Sequence, residues 1–256
     1  RGPGPVLRNG ERMPGATWFE GTRLNFAENL LRGTGAGPAI IARDERGRRR
    51  EVSWEQLHAE VARVDDGLRT AGGVAGDRFA GFLPNLPEAI VAMLATTSLG
   101  ATWSSCSPDF GIRGVLDRFG QIAPKVLFTA DGYCYGGKTL DSIERIAGIL
   151  ESLPSVTCVV VVANVSPRPD LTRVAAARRY DEFGRPGSTL RFARLPFDQP
   201  LYILYSSGTT GVPKCIVHGA GGTLLQHLKE HQLHADVHPG ERLFFFTTCG
   251  WMMWNW

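Results

Sequence analysis

Hydrophobic and polar positions alternate in blocks along the chain, and the blocks predict helices and strands in turn. Apolar residues recur at helical spacing from Leu57 to Leu68. Ser53 and Gln56 precede them in the order of a capping box, and Gly72 follows them. The pattern therefore predicts a helix that begins just after Ser53 and stops before Gly72.

The same rhythm continues through the rest of the chain. It predicts strands at 78–83, 101–104, 125–129, 156–162, 201–205, 215–217 and 243–248, and helices near 87–99, 112–122, 140–150 and 223–235. Asn85 is expected to cap the helix near 87–99, and Gly100 to end it. The run 156–162 is apolar on both faces, which is typical of a parallel strand covered on both sides. The order predicts an open α/β sheet with right-handed crossovers.

One segment interrupts this rhythm. Residues 166–187 are rich in proline and in charged side chains. Such a composition is typical of a connection on the protein surface. We therefore expect a surface connection here, with one short helix inside it.

Composition narrows the class of protein. The chain has 256 residues, of which 43% are hydrophobic and 21% are charged, which excludes wholesale disorder and collagen-like structure. The net charge of +3 is too small, and the basic residues too scattered, to indicate a nucleic-acid partner. The run Arg46-Gly47-Arg48-Arg49-Arg50 favours a solvated hairpin turn over a basic patch. The sequence contains no stretch of about 18 consecutive apolar residues, so no membrane-spanning helix is predicted.

The cysteines and the two ends of the chain add two expectations. There are five cysteines and no C-x-x-C pair, which disfavours a zinc site or disulfide scaffold and favours a reducing cytoplasm. The chain begins at Arg1 without Met, and its last residues, 244–256, are too apolar for a solvated tail. We expect it to be part of a longer protein whose later residues cover that end.

The most informative segment is 201–214, in which an apolar strand runs into the loop Tyr-Ser-Ser-Gly-Thr-Thr-Gly-Val-Pro-Lys. Glycines let successive backbone N–H groups point at one anion, and the hydroxyls and Lys214 add donors and charge. Each hydrogen bond to a charged oxygen contributes about 1.5–3 kcal/mol, so the loop is expected to bind phosphates. A polar hairpin turn is the alternative. Pro213 and Cys215 flank Lys214, unlike the P-loop, which disfavours a GTPase or a kinase-like ATPase.

Residues 205–214 resemble the phosphate-binding signature of the acyl-adenylate-forming superfamily, and residues 99–111 resemble its earlier helix-to-strand motif. Residues 13–31 are similar to the N-terminal signature of the acetoacetyl-CoA synthetases, and 247–256 also resemble that family. The resemblance covers essentially the whole chain and is least clear at 166–190. It implies the N-terminal part of a large α/β domain with mostly parallel sheets layered with helices. It divides the chain into an extension (1–35) that packs on an incomplete large domain (36–256), without the C-terminal lid.

The resemblance also implies an activity, an ATP-dependent, AMP-forming ligation of acetoacetate to coenzyme A through an acyl-adenylate. Small molecules are then the partners, with neither nucleic acid nor membrane, and Mg²⁺ assists ATP. Phosphate binding falls on Ser206, Ser207, Gly208, Thr209, Thr210, Gly211 and Lys214. Lys214 and Thr210 are the implied catalytic residues, and the acyl pocket falls on Trp251, Met252 and Met253. No metal ligand is assigned. The adenine-binding segment and the lid lysine are absent, so these residues alone are expected to be inactive.

Several alternatives stay open. The acid could be acetate, propionate or another short-chain acid, or the chain could be a non-catalytic ATP-binding module. Residues 251–253 could be ordinary core packing. His218 could support the loop or simply pack. The order His227-Leu228-Lys229-Glu230-His231 formally matches a metal-hydrolase motif. We instead expect this histidine cluster, which His234 and His238 extend, to be a solvated helix face.

Overall fold

The computed structural model describes residues 2, 4–206 and 211–256. The strands are β1 (Leu7–Arg8), β2 (Thr17–Trp18), β3 (Arg23–Leu24), β4 (Pro38–Arg43), β5 (Arg49–Ser53), β6 (Arg78–Phe82), β7 (Thr102–Cys106), β8 (Val126–Ala130), β9 (Gly132–Tyr135), β10 (Lys138–Asp141), β11 (Cys158–Val162), β12 (Ala177–Arg179), β13 (Leu195–Pro196), β14 (Pro200–Ser206) and β15 (Lys214–Gly219). The helices are α1 (Phe26–Leu30), α2 (Trp54–Thr70), α3 (Pro87–Leu99), α4 (Ile112–Ile122), α5 (Ile143–Glu151), α6 (Ala220–Lys229) and α7 (Met252–Asn255), with a 3₁₀ turn at Tyr180–Glu182 and a π-helical turn at Glu230–His234.

A seven-stranded sheet with the order β12-β11-β8-β6-β7-β14-β15 organises these elements. Its first six strands run parallel to one another, and β15 pairs antiparallel with β14 at the edge. In β11, Val160 and Val162 pack into one hydrophobic core, and Val159 and Val161 pack into a second core on the other face. The predicted α/β class and the strand covered on both sides are therefore confirmed.

The predicted helix starts and stops are largely confirmed. The Ser53 hydroxyl accepts from the Gln56 backbone N–H at 3.1 Å, and the Gln56 side chain accepts from the Ser53 N–H at 2.9 Å. Gly100 ends α3 with a φ of +88°, a left-handed value that glycine adopts without strain. Asn85 does not cap α3, because Leu86 occupies the N-cap position. Pro87 has no backbone N–H group, so the first turn of α3 has one donor fewer for a capping side chain to satisfy.

Residues 166–187 are more than the predicted surface connection. They add β12 to the edge of the sheet, parallel to β11. They also bury Tyr180 and Phe183 against α2. The buried Arg63 guanidinium donates to the carbonyl oxygens of these two residues, at 2.7 and 2.6 Å. The prolines and charged residues of this segment suggested a surface position. The buried part around Tyr180 and Phe183 was missed because it depends on a contact with Arg63 of α2.

The β9–β10 hairpin was not predicted. Gly136 and Gly137 both have positive φ, 59° and 74°, and they form the turn between its strands. Leu140 therefore pairs with Tyr133 in the hairpin, and the helix predicted to begin at Leu140 begins at Ile143. The basic run 46–50 does form a hairpin turn, between β4 and β5, as predicted.

The C-terminal region departs from two expectations. The helix predicted over 223–235 is α-helical only to Lys229. The strand predicted over 243–248 does not form, and the side chains of residues 243–246 are exposed. A strand needs a neighbour for its backbone hydrogen bonds, and no strand among the described residues pairs with this segment. In the described part of the chain no helix has the length and apolar character to cross a membrane.

Asn25 ties the beginning of the chain to distant segments. Its side-chain amide donates to the carbonyl oxygens of Thr97 and Ser98 at 3.1 and 3.0 Å, and to that of Ala193 at 3.0 Å. The same side chain caps α1 by accepting from the Glu28 N–H. Residues 25–31 thus pack onto the body that contains the sheet. The division into an extension (1–35) and a large domain (36–256) stays a prediction.

The buried Asp131 carboxylate closes the loop after β11. It accepts hydrogen bonds from the backbone N–H groups of residues 164–166, at 2.7, 3.0 and 2.8 Å. Asp131→Ala leaves these donors unpaired, so we expect it to lower the free energy of unfolding by about 3 kcal/mol. Urea denaturation measures this. Asp170→Ala is the matched control, since Asp170 is exposed and accepts from one N–H group. Equal losses in the two variants would contradict the prediction.

Candidate functional site

The predicted phosphate loop connects β14 to β15. Ser206, half-buried, ends β14 and pairs with Lys214, which is exposed at the start of β15. Gly211 has a φ of +102°, which a residue with a side chain rarely adopts. The strand pairing expected for a hairpin is therefore present, and it fixes the two arms of the loop. The predicted phosphate ligands between them lie outside the described residues: Ser207, Gly208, Thr209 and Thr210.

Strand β14 delivers the first arm of the loop from the interior of the sheet. Its residues Leu201–Leu204 are buried. The Ser104 hydroxyl on β7 donates to the Ile203 carbonyl oxygen at 2.7 Å and hydrogen-bonds the Tyr205 hydroxyl at 2.9 Å. Burial raises the pKa of Tyr205, so its phenol stays neutral. These contacts hold the strand up to the residue before Ser206.

Helix α4 supports both arms of the loop. The Gln121 side chain donates to the Pro213 carbonyl oxygen at 2.8 Å, just before Lys214. The Arg118 guanidinium lies 5.7 Å from the centre of the Tyr205 ring and 4.5 Å from that of Phe110. Sequence analysis did not identify Arg118 or Gln121. Their spacing of three residues places them on one helix face, but the sequence did not show that this face meets the loop.

Residues 249–254 contact the same end of the sheet. Cys249 is buried, and its carbonyl oxygen accepts from the Ser105 hydroxyl at 2.6 Å. Its sulfur lies 3.6 Å from the Pro84 carbonyl oxygen. Pro84 and Ser105 lie at the carboxyl ends of β6 and β7. Burial raises the pKa of the Cys249 thiol, which favours an anchoring role over a nucleophilic one.

The predicted acyl-pocket residues begin helix α7, which packs against β14. Met252 packs partly buried against the core, whereas Trp251 is 65% and Met253 45% exposed. Trp254 fixes the helix by donating from its indole N–H to the Asn85 side-chain oxygen at 3.0 Å. Core packing therefore describes Met252, while Trp251 and Met253 remain open to a ligand. The pocket role of all three stays a prediction.

The loop and the pocket segment lie at one edge of the sheet. Strand β14 runs parallel to β7, with Tyr202 opposite Trp103, so both strands end on the same side. Ligands of open α/β sheets bind outside the carboxyl ends of the strands. A phosphate group beside Lys214 and a small apolar group beside Trp251 would thus occupy the same edge. The arrangement suits a ligand that combines both.

The histidine cluster is not the solvated helix face that we expected. His227 is only 9% exposed, because α6 turns it towards Phe26 and Trp256, whose rings lie 5.9 and 6.2 Å away. His234 and His238 are exposed, as expected. No group of three or more His, Cys, Asp or Glu side chains in the described part of the chain could hold a metal ion. The metal-hydrolase alternative therefore finds no support in the described residues.

Burial lowers the pKa of His227 to about 4, and the nearby imidazoles of His231 and His218 add to the effect. The unfolded chain then binds a proton that the folded protein rejects. Stability present above pH 6.5 should be lost as the pH falls from 6.5 to about 4. We expect His227→Gln to flatten this part of the curve of unfolding free energy against pH. His218, whose pKa is also lowered by burial, leaves a residual slope. An unchanged slope in His227→Gln would contradict the prediction.

Comparisons with known proteins agree on one group. The profile of the family described as AMP-binding enzyme matches residues 28–255. The chain is 55% identical to an acetoacetyl-coenzyme A synthetase of Rhizobium meliloti (strain 1021), over 98% of this chain and 39% of that protein. It is 46% identical to an acetoacetyl-CoA synthetase of Rattus norvegicus, over 93% of this chain and 37% of that protein.

Two further proteins match this chain: a relative named for another acyl group, and a protein of solved structure. The chain is 46% identical to the malonamoyl-CoA synthetase vrtB of Penicillium aethiopicum, over 95% of this chain and 36% of that protein. The structure of an acetoacetyl-CoA synthetase from Streptomyces lividans superposes with a TM-score of 0.92 at 44% identity, covering 98% of this chain and 38% of that chain. The chain thus spans about two fifths of the length of these relatives.

Proposed function

The chain belongs to the AMP-binding enzyme family, and on this premise we propose that the whole protein containing it is an ATP-dependent acid–thiol ligase. The proposed reaction joins acetoacetate to coenzyme A. The carboxylate attacks the α-phosphorus of ATP, which gives an acyl-adenylate and releases pyrophosphate. The coenzyme A thiol then attacks the mixed anhydride, which gives the thioester and releases AMP.

One observation supports this reading above the others. The arms of the phosphate loop and residues 249–254 lie at the same carboxyl edge of the sheet. A reaction between a carboxylate and the α-phosphate needs its two reactants held together, and such positioning lowers the barrier by about 7–11 kcal/mol in favourable cases. In this proposal the exposed Lys214 would bind the phosphates and the exposed Trp251 would contact the acid.

The proposed residue roles follow from this placement. Lys214, with Ser206, Gly211 and the residues 207–210 between them, would bind the β- and γ-phosphates and the departing pyrophosphate. Lys214 and Thr210 would act in catalysis through charge stabilisation. Trp251, Met252 and Met253 would line the acyl pocket.

Mg²⁺ is proposed as a companion of ATP. The described residues contain no cluster of three or more His, Cys, Asp or Glu side chains suited to a metal. Mg²⁺ is commonly held through substrate phosphates with one or two carboxylates. We therefore expect Mg²⁺ to bind the ATP phosphates beside Lys214, where it would neutralise part of their charge.

Acetoacetate is the proposed acid, and the names of the relatives indicate which acids should be compared with it. Relatives named for acetoacetyl groups are 55% and 46% identical to this chain, and one named for a malonamoyl group is 46% identical, so an overall identity of 46% does not by itself select the acyl group. Both groups carry a second carbonyl on the third carbon. Acetate or propionate activation remains the alternative within this class. We further propose a cytoplasmic location and small molecules, rather than nucleic acid or membrane, as partners.

Carboxylate-dependent exchange between ATP and pyrophosphate by the whole protein tests the proposal. Acetoacetate, butyrate, propionate and acetate would be compared. We expect exchange to be strongest with acetoacetate. Exchange that favours acetate or propionate would keep the chemistry and reject the substrate. ATP binding without exchange for any acid would reject the ligase and favour a non-catalytic ATP-binding module.

A further inference from the structure

One face of α4 lies against the segment just before Lys214. The Gln121 side-chain amide donates to the Pro213 carbonyl oxygen at 2.8 Å and to the Asp117 carbonyl oxygen of its own helix at 2.6 Å. An amide nitrogen carries two hydrogens, so both are used and the orientation of the side chain is fixed. The pairing of β15 with β14 ends at Lys214 and Ser206. Gln121 therefore holds the chain just beyond the last pair of these two strands.

A second side chain of the same face, Arg118, holds the other arm of the loop. Its guanidinium group donates to the Gly114 carbonyl oxygen of α4 at 2.7 Å, which fixes the side chain along the helix. It lies 5.7 Å from the centre of the Tyr205 ring and 4.5 Å from that of Phe110, within the range of cation–π contacts. A planar guanidinium stacks on aromatic rings in a way that a lysine ammonium cannot. Arg118 therefore fixes the residue directly before Ser206.

Helix α4 stays in place without these two contacts, because its other side is buried. Val115, Phe119 and Ile122 pack into a hydrophobic core of the sheet, whereas Gln121 is exposed and Arg118 half-buried. Substitutions on a protein surface usually change stability little. A misplacement of about 1 Å in an active site, in contrast, can cost about 100-fold in rate. The two contacts therefore matter more for where the arms of the loop stand than for whether the protein folds.

We propose that Gln121 and Arg118 are positioning residues for ATP, which hold the two arms of the phosphate loop so that Lys214 meets the phosphates. This inference rests on the proposed ligase function. Gln121 acts through Pro213, and Arg118 acts through Tyr205. Both contacts bear on the arms of the loop, so their loss should weaken the use of ATP and leave the binding of the acid nearly unchanged.

Steady-state kinetics of the whole protein with Gln121→Met test the proposal. Methionine has a similar length but no donor, so the Pro213 carbonyl oxygen loses its bond. We expect kcat/KM for ATP to fall roughly 5–10-fold, the effect of one neutral hydrogen bond, while KM for acetoacetate stays within about twofold. Urea denaturation should give the same midpoint as for the wild type. Gln226→Met is the matched control and should change neither constant, because Gln226 makes a comparable bond to Glu230 at 2.6 Å on another helix.

Two further variants separate the contacts from bulk and charge. Gln121→Lys keeps a donor of similar reach and should keep kcat/KM for ATP within about threefold of the wild type. Asp117→Asn changes the net charge equally and leaves the Gln121 bond in place, so we expect it to leave kcat/KM for ATP within about twofold. Arg118→Lys keeps the charge but loses the stacking on Tyr205, and should lower kcat/KM for ATP by roughly 3–10-fold.

The proposal is overturned if kcat/KM for ATP is unchanged in both Gln121→Met and Arg118→Lys. Equal losses for ATP and acetoacetate in these variants, together with a lower denaturation midpoint, would also overturn it, since they indicate a role in folding alone. So would a loss in Gln121→Lys as large as that in Gln121→Met. The proposed function fails differently, because the wild-type protein would then show no carboxylate-dependent exchange between ATP and pyrophosphate.

Discussion

Replacing Lys214 with alanine in the whole protein is expected to lower kcat/KM for ATP by about 100-fold, the size of effect seen when one donor to a developing charge is removed. Lys214 starts β15 opposite Ser206, and its exposed ammonium group is free to reach a phosphate at the end of the loop. The pyrophosphate that leaves carries more charge than any part of the acid. The loss should therefore fall on ATP and on pyrophosphate exchange, with little change in KM for acetoacetate.

The control for this variant is Lys229→Ala. Lys229 lies on α6, pairs with Glu230 at 3.2 Å and is similarly solvated, so its removal changes the net charge equally. We expect it to leave the kinetics within about twofold, because a solvated surface pair contributes little. If Lys214→Ala mainly raised KM for the acid and left that for ATP unchanged, the proposed role of Lys214 would be wrong.

Gly184→Ala is expected to have the largest effect on stability. Gly184 has a φ of +87°, and a Cβ there would lie 1.8 Å from the Arg63 carbonyl oxygen. The backbone of α2 cannot yield as a flexible side chain can. The clash would also displace the carbonyl oxygens of Tyr180 and Phe183 from the Arg63 guanidinium. We expect the free energy of unfolding to fall by about 4 kcal/mol or more.

Gly187→Ala separates the clash from the backbone conformation. Gly187 has a similar φ of +76°, but a Cβ there meets nothing within 4 Å. Left-handed conformation alone should cost about 1–2 kcal/mol. Thermal or urea denaturation of both variants measures the difference. Comparable losses would show that the close approach of Gly184 to α2 is unimportant.

Much of the sheet could be predicted because its signals are local. The continuous apolar run of residues 156–162, the capping box at Ser53 and the stop at Gly100 each depend on a few neighbouring residues. The predictions were wrong where contacts between residues far apart in sequence determine the structure. The burial of Tyr180 and Phe183 depends on Arg63, which lies 117 and 120 residues away in sequence and donates hydrogen bonds to their carbonyl oxygens. Asn85 could cap α3 by its type, but its oxygen accepts from Trp254.

The candidate site shows the same division. The glycines and hydroxyls of residues 205–214 indicate phosphate binding by their types alone. The support from Arg118 and Gln121 depends on how α4 crosses the end of β14, which no local pattern encodes. His227 was misjudged for a related reason. Spacings of three and four residues define a helix face, but what covers the face is set by Trp256 and Phe26, far away in sequence.

The Asn25 side chain has a consequence for the order in which the chain folds. Its bonds to Thr97 and Ala193 close loops of 72 and 168 residues. Closing such loops costs chain entropy before the contact is gained, so these bonds should form late, after the parallel strands have assembled. Interactions absent from the folding transition state act mainly on the unfolding rate. The Asn25 contacts should therefore govern how long the native state persists rather than how quickly it is reached.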